Sequence, residues 1–142
     1  MKYELAPDLK EKAVEIIRVL GLNHIQIDNI GCLRSWGTSS RAIARCHALG
    51  KVMQHALGRK AFYTIEFISE RFDKQSEEEK IKTIIHELMH IPKAFGGGFK
   101  FHDYVCHKNV EILYKKYIHA DTNNLSINAD DFVEKKSSFW FR

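Results

Sequence analysis

Two histidines and a glutamate occur in the pattern H-E-x-x-H at His86, Glu87 and His90. On an α-helix, side chains four residues apart lie on the same face, so both imidazoles can reach one metal ion. Zinc favours imidazole nitrogen, and a catalytic zinc site leaves one coordination position for water. A glutamate beside the ligands can accept a proton from that water. The spacing therefore predicts one zinc ion per chain, with Glu87 as the general base.

The residues around this motif predict the helix that it requires. Ser76 followed by Glu79 forms a capping box, which is typical of a helix start, and the acidic first turn complements the helix dipole. Pro92 disfavours helical geometry at the preceding residue, Ile91, so we expect the helix to end at Ile91. Apolar residues recur at helical spacing on the side opposite the motif, at Ile81, Ile84, Ile85 and Leu88.

A catalytic zinc site usually has three protein ligands, so a third is needed besides the two motif histidines. We expect His102, because the three glycines at 96–98 permit a tight turn that could return the chain over the helix. Glu111 is the main alternative, since it lies on the next helix of the chain. His107 and Asp103 are weaker candidates.

Peptide hydrolysis at such a site would build negative charge on an oxygen, and this charge needs a second electrophile besides the metal. The candidate residues for this role, or for contact with a substrate, are Tyr104, Arg71 and His107.

The remaining patterns favour an α+β class with a small sheet and separate helices. Alternating or β-branched residues predict strands at 25–27, 32–36 and 62–68. The spacing at 41–57 also fits one helix, but we expect a strand at 41–49 with Ile43 pointing inward. Helical spacing predicts a first helix that ends at Gly21, a short helix at 51–57 and a last helix at 104–117.

The chain length of 142 residues suggests one domain, which we place at 1–118, followed by a polar and partly disordered tail at 119–142. The first twenty residues carry charges throughout, and no apolar run is long enough for a membrane span. Three cysteines without C-x-x-C pairing favour free thiols in a reducing compartment. We therefore expect a cytoplasmic location and no membrane partner.

A basic stretch at 34–60 raises the alternative of a nucleic-acid partner. No acidic residue occurs between Asn29 and Ile65, and Trp36 lies among the arginines and lysines. Such a surface can hold phosphates and stack a base. A non-catalytic zinc-containing nucleic-acid-binding module is thus the second hypothesis, although ordinary solubility charges explain the stretch more simply.

A resemblance to the phage and archaeal metallopeptidase family, related to the SprT-like zincins, is carried by the motif at 86–92 together with Phe95, Gly97, Gly98 and His102. The segments at 68–73 and 113–117 are also similar, and the resemblance covers roughly residues 40–117. It implies a zincin-like fold and a zinc ion held by His86, His90 and His102. It also implies a peptide or protein substrate bound along a sheet edge, and some SprT-like proteases act on nucleic-acid-bound proteins.

The chain departs from the metzincin pattern H-E-x-x-H-x-x-G-x-x-H. Lys93 stands where that pattern has glycine, and Gly96 stands where it has the third histidine. No thermolysin-type sequence surrounds Glu111. These departures favour the SprT-like resemblance.

Overall fold

A computed structural model of the chain describes residues 1–124. Its four strands are Lys2–Leu5 (β1), Ile30–Trp36 (β2), Ala44–Ala48 (β3) and Tyr63–Ile68 (β4). Its five α-helices are Pro7–Leu20 (α1), Lys51–Leu57 (α2), Ser69–Phe72 (α3), Glu77–Met89 (α4) and His107–Asn124 (α5). This arrangement confirms the predicted α+β class and is consistent with a small zincin-like domain.

The strands form one mixed sheet in the order β1-β2-β4-β3. β2 and β4 run parallel, while β1 and β3 pair antiparallel with their neighbours. The predicted strand at 62–68 therefore lies inside the sheet, and β3 is the edge strand on that side. An edge strand leaves a row of backbone groups unpaired.

The helix α4 begins and faces the core as its sequence predicts. The Ser76 hydroxyl accepts a hydrogen bond from the backbone N–H of Glu79 at 3.2 Å. The apolar face of α4 is buried in the common core, which also takes in residues of α1, α5 and the sheet. Burying this face fixes the rotation of the helix about its axis, so the opposite face with the motif residues points to β3 and solvent.

Near the N-terminus, one prediction is wrong and one strand was not predicted. The strand predicted at 25–27 is a loop followed by a 3₁₀ helix at Ile27–Asn29, because Ile25 and Ile27 both pack on the core from irregular backbone. The strand β1 gave no sequence signal, since all four of its residues are exposed and it forms by backbone pairing with β2 alone.

Three boundaries and one orientation also differ from the predictions. The strand predicted at 41–49 begins only at Ala44, and Ile43 is 37% exposed instead of inward. The strand predicted at 32–36 begins earlier, at Ile30. The last helix begins at His107, because residues 101–106 form turns closed by hydrogen bonds to the Phe101 carbonyl.

The predicted tail at 119–142 begins inside α5, which continues to Asn124. Residues 125–142 lie outside the described residues, so the division at residue 118 stays a prediction. Across residues 1–124, no helix is both long and apolar enough to cross a membrane. The three cysteines are free thiols. The cytoplasmic location stays a prediction.

Candidate active site

The last two turns of α4 position the three motif residues. His86 and His90 are partly exposed, and their ring centroids are 5.1 Å apart. Glu87 is only 6% exposed and lies under the edge strand β3. The helix therefore presents two imidazoles to solvent and a carboxyl group beside them in a low-dielectric position.

The segment after α4 turns back and is joined to His90 by two hydrogen bonds. The Lys100 backbone N–H donates to the His90 carbonyl at 2.8 Å, and His90 Nδ1 lies 2.7 Å from the Lys100 carbonyl oxygen. A carbonyl can only accept, so Nδ1 carries the proton. The lone pair of His90 Nε2 is thereby left for a metal ion.

The turn itself depends on Gly97, whose φ is +104°. A Cβ at this position would lie 2.6 Å from Gln54 Nε2 and 2.7 Å from the Leu49 carbonyl oxygen. The Tyr63 hydroxyl accepts from the Gly97 N–H at 2.9 Å and donates to the Gly98 carbonyl at 2.8 Å. The glycine segment is thus held against β4 and the start of α2 along a path that only glycine can follow there.

This path brings His102 over α4. One ligand nitrogen from each of His86, His90 and His102 lies within 4.8 Å of the other two. Nitrogens bound to one tetrahedral ion at about 2.0–2.1 Å lie about 3.3–3.4 Å apart, so the three rings would draw together by up to about 1.5 Å around an ion. Among the side chains of residues 1–120, these three form the one such group of histidine, cysteine and acidic residues.

The protonation of His86 suits this role. Burial disfavours its charged form, and the neighbouring His90 and His102 add to this, so that the pKa of His86 falls to about 4. A neutral imidazole is the form that binds a metal ion. The donor set therefore fits a divalent cation that accepts nitrogen ligands.

The pKa of Glu87 shifts in the opposite direction from that of His86. Burial raises the pKa of Glu87 to about 7, against the effect of a hydrogen bond from the Cys46 backbone. A carboxyl group with a pKa near neutrality can both accept and return a proton.

A cleft runs along β3 on both sides of His86 and Glu87. One half has a volume of about 640 Å³ and extends towards Arg41 and the start of α5. The other half has a volume of about 480 Å³ and extends towards His47 and the segment around His102. Ala42 and Ala44 line both halves, so β3 borders the smaller half, and the start of β3 with the residues just before it borders the larger half.

A family model described as "Putative phage metallopeptidase" matches residues 1–130. The chain belongs to this phage metallopeptidase family. The match confirms the family expected from the resemblance and supports, at that general level, a metal-dependent peptidase that acts on peptides or proteins. The relation to the SprT-like zincins stays a prediction. No curated protein and no solved structure matches the chain.

The alternative ligand Glu111 is held by Lys82, a residue that lines the larger half of the cleft. Glu111 Oε1 is 2.5 Å from Lys82 Nζ, which also binds Glu78 at 2.9 Å. The ion pair lowers the pKa of Glu111. Neither Glu111 nor Asp103 belongs to the group of converging ligand atoms.

The three candidates for oxyanion or substrate contact lie in different places. Arg71 donates from its guanidinium to the Ser40 carbonyl, outside the cleft. Tyr104 lines a separate small cavity beside Met89, and Lys100 Nζ lies 4.0 Å from the centre of its ring. His107 lines the larger half of the cleft, together with His86 and Glu87.

Several residues that shape the site escaped the sequence analysis. Tyr63 and Gln54 hold the glycine segment, and the Cys46 backbone binds Glu87. Tyr63 lies 34 residues before Gly97 in the chain, and Gln54 lies 42 residues before Gly96. No local pattern indicates such pairings, because they depend on the tertiary fold.

Proposed function

We propose that the chain is a zinc-dependent peptidase in which His86, His90 and His102 hold the ion and Glu87 is the general base. The observation that carries this proposal is the convergence of three imidazoles beside a buried carboxyl group in a cleft along an edge strand. Catalytic zinc sites can have three histidine ligands, with a water molecule in the fourth coordination position.

The chemistry divides between the ion and the protein. When bound, zinc supplies a Lewis acid that makes a water molecule acidic and polarises the scissile carbonyl. Glu87 takes the proton of the attacking water and delivers it to the leaving amine. The Cys46 backbone holds the Glu87 carboxyl group in place, and the Lys100 carbonyl fixes the ring of His90.

The edge strand β3 would bind the substrate backbone. Its inner side pairs with β4, and its outer side borders the cleft. An extended peptide can add to such an edge through main-chain hydrogen bonds and pass over the metal site. This mode of binding agrees with the sheet-edge binding implied by the family resemblance, with β3 as the edge.

His107 is our choice for stabilising the oxyanion, since it lines the cleft with Glu87. Arg71 and Tyr104 are not proposed for this role, because their side chains contact other parts of the molecule.

The substitution Glu87→Gln tests the proposed chemistry. It removes the base and keeps the size of the side chain, so we expect the hydrolysis of a casein or quenched-peptide substrate to fall by at least about 100-fold. The zinc content of the purified protein should stay unchanged. Glu77→Gln is the matched control, since Glu77 is an exposed acid in the first turn of the same helix. Undiminished hydrolysis by Glu87→Gln would reject the mechanism.

Among the described residues, the structure adds no support to the nucleic-acid hypothesis. Two arginines of the basic stretch are paired, Arg34 with Asp8 at 2.7 Å and Arg45 with Glu66 at 3.0 Å. Trp36 lies at the end of β2 under the ammonium group of Lys2. The basic stretch is thus partly neutralised within the protein, and action on nucleic-acid-bound proteins is not part of the proposal.

A further inference from the structure

The two halves of the cleft differ in chemistry. The half towards α5 carries polar side chains together with positively and negatively charged ones, among them Arg41, Glu79 and Lys82. The half towards His102 contains two exposed aromatic residues, Phe99 and Phe101. These two halves meet at the metal ligands, so a bound peptide would place different residues in two different environments.

The two phenylalanines are exposed although they are large and apolar. Phe99 is 39% exposed and Phe101 is 74% exposed. The ring of Phe99 lies edge-on to His90, with the centroids 6.3 Å apart, and at the same distance from Tyr63. Phe99 is therefore fixed directly beside a proposed metal ligand, and Phe101 is next to the third one in the chain.

The charged groups in this half already have partners. Arg45 and His47 both bind the buried carboxylate of Glu66, at 3.0 and 2.8 Å. Lys100 directs its ammonium group over the ring of Tyr104. The surface that remains for a ligand is mainly aromatic, and an apolar side chain that covers it would remove apolar area from water on both partners.

We propose that this half of the cleft, with Phe99 and Phe101, is a subsite that selects an apolar side chain of the substrate next to the scissile bond. The inference rests on the proposed peptidase function and adds a substrate class to it, namely peptides with a large aliphatic or aromatic residue on one defined side of the cleaved bond. The opposite half of the cleft imposes no such requirement on the other side.

The test uses the zinc-loaded full chain and a set of quenched peptides that differ at the two residues flanking the cleaved bond. Replacing Leu or Phe by Asn at one flanking position is expected to lower kcat/KM by about tenfold or more, and the same replacement at the other position by much less. Phe101→Ala should reduce this discrimination to about threefold or below. Ile112→Ala is the control, because Ile112 is 54% exposed on α5 and lines neither half of the cleft.

A binding measurement separates this inference from the proposed function. The affinity of the Leu and Asn peptides for zinc-loaded Glu87→Gln, with and without Phe101→Ala, can be measured by fluorescence anisotropy. A preference for the Leu peptide that depends on Phe101 would support the subsite, whether or not the wild type hydrolyses any peptide. The absence of hydrolysis by the wild type would reject the peptidase. Equal binding of both peptides, or hydrolysis without a preference on either side of the bond, would overturn the subsite and leave the peptidase standing.

Discussion

At the residue scale, Gly97 decides whether the chain can return over α4. Its positive φ and the close approach of Gln54 and Leu49 leave no space for a side chain. We expect Gly97→Ala to lower the free energy of unfolding by about 2 kcal/mol or more, because it combines backbone strain with a clash. It should also weaken zinc binding, since the segment that carries His102 must shift.

Gly98 provides the matched control for this prediction. A Cβ there would meet nothing within 4 Å, and its φ is not positive. Gly98→Ala should therefore change the free energy of unfolding by less than about 0.5 kcal/mol. Urea denaturation and zinc titration of both variants make the comparison, and equal behaviour of the two would refute the described path of the glycine segment.

His107 carries the second prediction at this scale. If its imidazole stabilises the oxyanion, His107→Ala should lower kcat by roughly 100-fold and leave the zinc content unchanged. Tyr104→Phe is the comparison, because Tyr104 lines a different cavity. A loss of activity in Tyr104→Phe with full activity in His107→Ala would reverse the assignment.

At the scale of elements, the edge strand β3 is held by Glu66 of β4. Glu66 is 3% exposed and accepts hydrogen bonds from Ser35, Arg45 and His47. Burial opposes ionisation, but these hydrogen bonds outweigh it and lower the pKa of Glu66 to about 2. Cys46 lies between Arg45 and His47, so this network also fixes the backbone that binds Glu87.

The substitution Glu66→Gln should therefore lower the free energy of unfolding at pH 7 by roughly 2 kcal/mol. The ionised carboxylate stabilises the folded state above its unfolded pKa of 4.5, and this contribution is lost as the pH falls from there towards 2. The difference between wild type and variant should shrink over the same interval. Glu4→Gln, which removes an exposed ion pair with Lys2, is the control with little expected effect. A pH-independent difference would contradict the account of Glu66.

Sequence patterns predicted the elements whose signals are local. The helix α4 has its cap, its apolar spacing and its terminating proline within one segment, and the structure agrees with all three. Strand β1 and the position of β3 at the sheet edge depend on pairing with distant strands, so no local pattern indicated them. The return of His102 was suggested by the three glycines, but the contacts of Tyr63 and Gln54 that fix it were not.

At the scale of the whole molecule, the sheet and four helices share one core beneath the site. Residues of α1, α3, α4, α5 and the strands contribute to this core, and the three histidines come from α4 and the segment that follows it. Because the site combines a helix with a returning segment, it is complete only when the fold is complete. Metal binding is then expected to depend on the folded chain instead of on the motif alone.

The most direct test of the central claim is the zinc content of purified wild type, His102→Ala and Glu111→Gln, measured by elemental analysis after dialysis against zinc and then buffer. The three-histidine site predicts one zinc per chain in the wild type, loss of that zinc in His102→Ala and its retention in Glu111→Gln. Retention in His102→Ala with loss in Glu111→Gln would contradict the proposed ligand set. A wild type that binds no zinc would contradict the zinc peptidase itself.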